Sequence, residues 1–130
     1  MVILDENIDD EHAIQLRRWH IKARQIGHDL GRAGMSDAEI ISLLHELNGA
    51  TFFTLDHGFK RARLCHARYC LVFLDVLASD VDRWIRRLLS HPEFDTQAKR
   101  LGSVVEVSGT ELIVWRLPNR QMWRLAWSSS

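Results

Sequence analysis

Cysteine is scarce in this 130-residue chain: only Cys65 and Cys70 occur, and their spacing is not Cys-x-x-Cys. A disulfide framework or a thiolate metal site is therefore not expected, and Cys70, set in an apolar run, reads as a buried thiol. Net charge is lacking as well, since 17 basic residues balance 17 acidic ones. Neutrality argues against the tight, nonspecific coating of nucleic acid seen with basic chains, though a local basic patch remains open. No apolar run approaches the roughly 20 residues that a membrane helix needs. The start, MVILDENIDD, has no basic segment leading into an apolar one, so no secretory signal is expected. These absences point to a cytoplasmic protein with no membrane partner. There is also no internal repeat, low-complexity segment or linker.

What is present is a chain of 46% hydrophobic residues, long enough for one ordinary core. Val2-Ile3-Leu4 is a short apolar run ending in Asp5, as expected of a buried strand. Residues 9–23 read as a helix with Ala13, Leu16 and His20 on one stripe, and 22–26 as a second strand. Gly27, Gly31 and Gly34 mark a loop, and Ser36-x-x-Glu39 is a capping box opening a helix with Ile40, Leu43, Leu44 and Leu47 at helical spacing. Asn48-Gly49 ends it, and a strand over 50–55 runs into Asp56. After a basic stretch, 60–68, come a buried strand over 70–76 and a helix capped by Ser79 with a stripe of Val81, Trp84, Ile85 and Leu88. Residues 104–107 and 112–117 flank Ser-Gly-Thr as a β-hairpin. The tail after Pro118 reads as helical or loosely docked.

Strands alternating with helices imply an α/β fold with a mostly parallel sheet, right-handed crossovers and helices on both faces, with the hairpin at the end. In such sheets ligands bind beyond the carboxyl ends of the strands. Asp5 and Asp56 each directly follow a strand, and Asp37 lies in the first turn of a helix that starts from the same edge. Three carboxylates gathered there repel one another, at about 4 kcal/mol per pair for 4 Å and an effective dielectric near 20. A divalent cation neutralises them, and hard oxygen ligands suit Mg²⁺ or Mn²⁺. Such a cation lowers the pKa of a water and stabilises the leaving oxygen of a phosphodiester. Each acid also has an ordinary structural use: Asp5 as a helix cap, Asp37 at the positive end of a helix dipole, Asp56 in a turn beside Gly58. Glu39 belongs to the capping box, and Asp75, inside an apolar strand, reads as one half of a buried salt bridge to an arginine.

Three segments, VILDEN, GMSDAEI and TFFTLDHGF, resemble the compact PIN-like domains, many of which are ribonuclease toxins of bacterial toxin–antitoxin pairs. The resemblance runs from Val2 to about Leu117, so 1–117 is expected to be the PIN-like domain, with a three-layer fold, and 118–130 a tail. It implies a Mg²⁺- or Mn²⁺-dependent endoribonuclease with Asp5, Asp37 and Asp56 as catalytic and metal-binding residues, RNA as substrate and an antitoxin or a second protomer as partner. The chain departs from the family at Gly58, where larger PIN domains often carry an aspartate before the phenylalanine. Glu6, Asp75 or a water would then fill the gap. Lys60, Arg61 and Arg63 are candidates for holding RNA phosphates. His57 is a candidate for proton transfer. Trp115, Trp123 and Trp127, beside Arg116, Arg120 and Arg124, either stack on bases or close a core or a partner interface.

Two other readings stand beside this one. Gly58 favours a catalytically degenerate PIN-like binding module acting through RNA or protein partners. A phosphoryl-transfer protein of the receiver or haloacid-dehalogenase kind also places an aspartate after the first strand. The latter needs Asp-x-Asp where this chain has Asp5-Glu6-Asn7, and a receiver needs a late lysine that does not follow the 70–76 strand.

Overall fold

The computed structural model describes residues 1–127. One seven-stranded mixed sheet runs through it in the order β2-β1-β3-β4-β5-β6-β7. β1 (Val2–Leu4), β2 (Ala23–Gln25), β3 (Ala50–Thr54), β4 (Tyr69–Asp75) and β5 (Ser103–Ser108) are parallel; β6 (Glu111–Arg116) and β7 (Gln121–Ala126) continue the sheet antiparallel. The four central parallel strands read as near-continuous apolar runs because both their faces are covered.

Alternate residues of those strands feed two separate cores. Val2, Leu4, Phe53, Val72, Leu74, Val105 and Val107 pack with α1 (Asp10–Arg18) and α3 (Val81–Leu89). Ile3, Phe52, Leu71 and Val104 pack with Ile40 and Leu44 of α2 (Asp37–Leu47). The sheet is thus flanked by helices, two supplying one core and one the other. α2 begins as its capping box dictates: Glu39 N donates to Ser36 Oγ (3.2 Å) and Ser36 N to Glu39 Oε1 (3.1 Å). Both cysteines are free and buried, and burial pushes the Cys70 thiol up to about 12.

Several expectations need correction. The first helix stops at Arg18, not residue 23, because His20 adopts a left-handed conformation (φ 64°). His20 N then donates to Arg17 O (2.9 Å) and Ile21 N to Leu16 O (2.9 Å), closing the helix with a paired C-terminal motif that glycine usually provides. His20 is consequently exposed, and His12 joins Ala13 and Leu16 in the buried stripe. Ser79 does not cap α3; it lies in a single 3₁₀ turn, Ala78–Asp80, that leads into Val81. The stretch between β3 and β4 holds two 3₁₀ turns, His57–Phe59 and Ala62–Leu64. A short α4 (Gln97–Arg100) precedes β5, which is the last parallel strand as well as the first arm of the hairpin. The tail is neither helical nor loose: residues 121–126 form β7, paired with β6 along its whole length, while 128–130 lie outside the described residues.

Ile85 is fully buried in the core shared by α1, α3 and the sheet. Ile85→Ala is expected to cost about 2–5 kcal/mol, with a lower urea midpoint and an unchanged m-value.

Candidate acidic site at the carboxyl edge of the sheet

The chain leaves β1 toward β2 and leaves β3 toward β4, so strand connections diverge between β1 and β3. In open parallel sheets a crevice forms at such a divergence, beyond the carboxyl ends of the strands. Asp5 follows β1 and Asp56 lies two residues past β3, on either side of that point.

Asp5 is anchored from several directions. Its backbone N donates to Phe53 O (2.9 Å), continuing the parallel ladder one residue past β1. Its carboxylate accepts from Thr54 Oγ1 at Oδ2 (2.6 Å) and from Glu6 N at Oδ1 (2.8 Å). The residue is only 6% exposed. Burial pushes its pKa up; the hydrogen bonds from Thr54 and Glu6 pull it down, and the charges of Glu6 and Asp56 add to the upward push. The charges that act on it, Glu6 and Asp56, are therefore both acids.

Thr54, fully buried, ties Asp5 to Asp56. Its hydroxyl donates to Asp5 and accepts from Asp56 N (3.0 Å). Asp56 in turn accepts from Gly58 N at Oδ1 (2.8 Å), which shapes the 3₁₀ turn that follows. Sequence reasoning missed Thr54, although the Thr-x-Asp spacing is that of a hydroxyl turn to the backbone two residues on.

Asp37 arrives from the other side, on the exposed first turn of α2. A Cβ built at Gly58 would stand 3.1 Å from Asp56 Oδ1 and 3.5 Å from Asp37 Oδ2. Both carboxylates thus face the place where a side chain at position 58 would begin. Glu6 is engaged with the backbone: Gly34 N donates to its Oε1 (2.9 Å) and Oε2 (3.2 Å). That contact holds the loop before α2 against the end of β1 and so helps to bring Asp37 in. Among the described residues, no group of three or more His, Cys, Asp and Glu is placed to hold a metal ion with the side chains as they stand.

Asp75 is exposed at the carboxyl end of β4 and makes no salt bridge among the described residues, contrary to the buried pair expected. His57 points to solvent, with its side chain 85% exposed and Nδ1 3.9 Å from Asp56 Oδ1. The basic residues divide. Lys60 is half-buried, paired with Glu106 (Nζ to Oε1, 3.0 Å) and lying over the Phe73 ring. Arg61 and Arg63 are exposed and line a groove of about 480 Å³ with Asp37, Ala38, Ile41, Gly58, Phe59 and Leu64. Arg61 is oriented there by donation from Nε to Gly58 O (3.2 Å). The tryptophans lie elsewhere. Trp123 and Trp127 pack on the α1–α3 core under Arg116 and Arg87, and Trp115 packs on the α2 core.

No known family model, curated protein or solved structure matches the chain.

Because burial raises the pKa of Asp5, the folded chain binds this proton more tightly than the unfolded chain. The stability tied to it is fully present below the unfolded value of 3.8 and is lost as pH rises through the raised folded value. Asp5→Asn, which stays neutral, is therefore expected to melt above the wild type near neutral pH without divalent cations, and the gap should close on acidification. Melting temperatures across that range check this, and a wild type more stable than the variant near neutrality contradicts it.

Proposed function

We propose that this chain is a metal-dependent endoribonuclease with a three-layer, PIN-like fold, acting in the cytoplasm as the toxin of a toxin–antitoxin pair. The observation that carries the reading is Asp5: a buried carboxylate at the divergence of two parallel strands, with acids as its charged neighbours. A carboxylate raised by burial and by like charge gains most from a cation. Asp5 and Asp56 fit that role because each oxygen accepting a protein hydrogen bond retains a lone pair. Asp37, exposed and without a side-chain hydrogen bond among the described residues, completes the set. Bound there, Mg²⁺ or Mn²⁺ would supply a water of lowered pKa and charge stabilisation at the leaving oxygen.

The chain's own residues have separable tasks. Thr54 fixes the spacing of Asp5 and Asp56. Glu6 serves as a positioning residue through Gly34. Arg61 and Arg63 are positioned to hold RNA phosphates along the groove beside Asp37, contacts that orient a strand without reading its sequence. Lys60 drops out of that role, since leaving Glu106 would strand a carboxylate whose side chain is only 12% exposed.

A second reading keeps the fold and gives up the chemistry: a PIN-like module that binds RNA or protein. Gly58 and the absence of a ready three-acid group among the described residues favour it. The affinity for Mn²⁺ separates the two.

Under the first reading, purified protein cleaves single-stranded RNA only with Mg²⁺ or Mn²⁺, and Asp5→Asn reduces cleavage to background while the circular dichroism spectrum is kept. Equal cleavage by both proteins removes the assignment. Gly58→Asp probes the cradle directly. A carboxylate added beside Asp37 and Asp56 should lower the melting temperature without divalent cations, and Mn²⁺ should raise it more in this variant than in the wild type. Identical Mn²⁺ responses would show that position 58 does not face a cation.

A further inference from the structure

The two edges of the sheet are finished differently. At the β2 edge three of the four outward backbone groups of Ala23 and Gln25 are met by the chain itself. Gln25 N donates to Asp29 Oδ2 (2.9 Å), Gln25 O accepts from Asp29 N (2.8 Å), and Ala23 O accepts from the Arg17 guanidinium (3.4 Å). The strand is also only three residues long. Short edges covered by side chains are how proteins avoid unwanted strand pairing.

β7 is protected in this way only at its first residue. It is six residues long, its register against β6 runs through six consecutive pairs with no bulge, and Gln121–Ala126 contains neither Lys nor Pro. Gln121 N points away from β6, onto Asn119 Oδ1 (3.1 Å). By the alternation of an antiparallel ladder, the N–H and C=O groups of Trp123 and Leu125 point the same way. Among the described residues nothing meets them. The strand cannot easily curl away, because the Trp123 and Leu125 side chains are packed on the α1–α3 core. Its one charge, Arg124, is neutralised by both carboxylate oxygens of Glu111, each at 2.8 Å. On the same face Met122 is 50% exposed beside half-buried Trp115 and Ile113.

We propose that β7 pairs antiparallel with β7 of a second copy, joining two sheets across a twofold axis. The occupant follows from self-complementarity. An edge with no net charge and a regular row of donors and acceptors satisfies an identical edge without burying an unpaired charge. A twofold at Trp123 sets Trp123 against its own copy and Gln121 against Leu125, where Gln121 N exchanges Asn119 Oδ1 for the partner strand, and sets Met122 opposite the partner's Arg124. A twofold at Arg124 would set two guanidiniums against each other and is disfavoured. Pairing also continues the exposed Met122–Trp115 face from one copy to the next. None of this depends on the nuclease reading, since β4, β5 and β6 separate β7 from the strands that carry the acids.

The test is the oligomeric state of the full chain by sedimentation equilibrium from low to several hundred micromolar, with hydrogen exchange read at both ends of the range. The wild type is expected to approach twice the chain mass at high concentration, with slower exchange of the Trp123 and Leu125 amides. Met122→Lys, on an exposed side chain, should weaken association by about tenfold or more by facing the partner's Arg124. Met122→Glu should associate at least as tightly as the wild type. A wild type that stays monomeric, with Trp123 and Leu125 exchange independent of concentration, overturns the proposal. So does a dimer indifferent to both substitutions.

Discussion

The hydroxyl of Thr54 is the contact on which the acidic site depends. It donates to Asp5 and accepts from the backbone of Asp56, so one small side chain fixes the carboxyl ends of β1 and β3 to each other. Without it, a carboxylate that is 6% exposed would lose a hydrogen bond to its charged form and face Glu6 and Asp56 with less compensation. The fold holds negative charge in a place where burial and neighbours both oppose it. Such positions are more often sites of chemistry than of stability.

Topology supplies the rest of the arrangement. Divergence of the chain between β1 and β3 leaves a crevice that no crossing connection fills. Glu6, just past β1, grips Gly34 and so pulls in the loop from which α2 starts, and the capping box then fixes the first turn that carries Asp37. Gly58 leaves open the space between Asp37 and Asp56, and the Arg61–Arg63 groove continues from it. Among the described residues the groove's acid and its two arginines adjoin without forming a salt bridge, which is the arrangement the proposed reading uses.

Legibility in the sequence followed the reach of each signal. The strands up to β4 and the capped α2 were plain because apolar runs, Ser36-x-x-Glu39 and Asn48-Gly49 act within a few residues. The position of Asp5 and Asp56 at one edge could be read from strand order alone. What failed depended on conformations or partners that local pattern does not encode. His20 ends α1 in a left-handed turn normally marked by glycine, which shortened the helix and exchanged His20 for His12 in its buried stripe. Asp75 looked buried because its strand is apolar, yet it stands at the strand's exposed end. Lys60 looked free until Glu106, distant in sequence, met it across the sheet. β7 was missed because alternating Trp123 and Leu125 among arginines resembles a loose tail, and only pairing with β6 makes it a strand. Asp37 was legible from its place in the first turn of a helix that starts at the same edge, which the capping box fixed in advance.

The central claim is that the charge gathered by Asp5, Asp37 and Asp56 is there to bind a cation. Crystals grown with Mn²⁺ and measured for anomalous scattering test it most directly. The account predicts a peak within coordinating distance of carboxylate oxygens from Asp5 and Asp56, with Asp37 turned toward it. A map with no peak at this edge, obtained at saturating Mn²⁺, would contradict it.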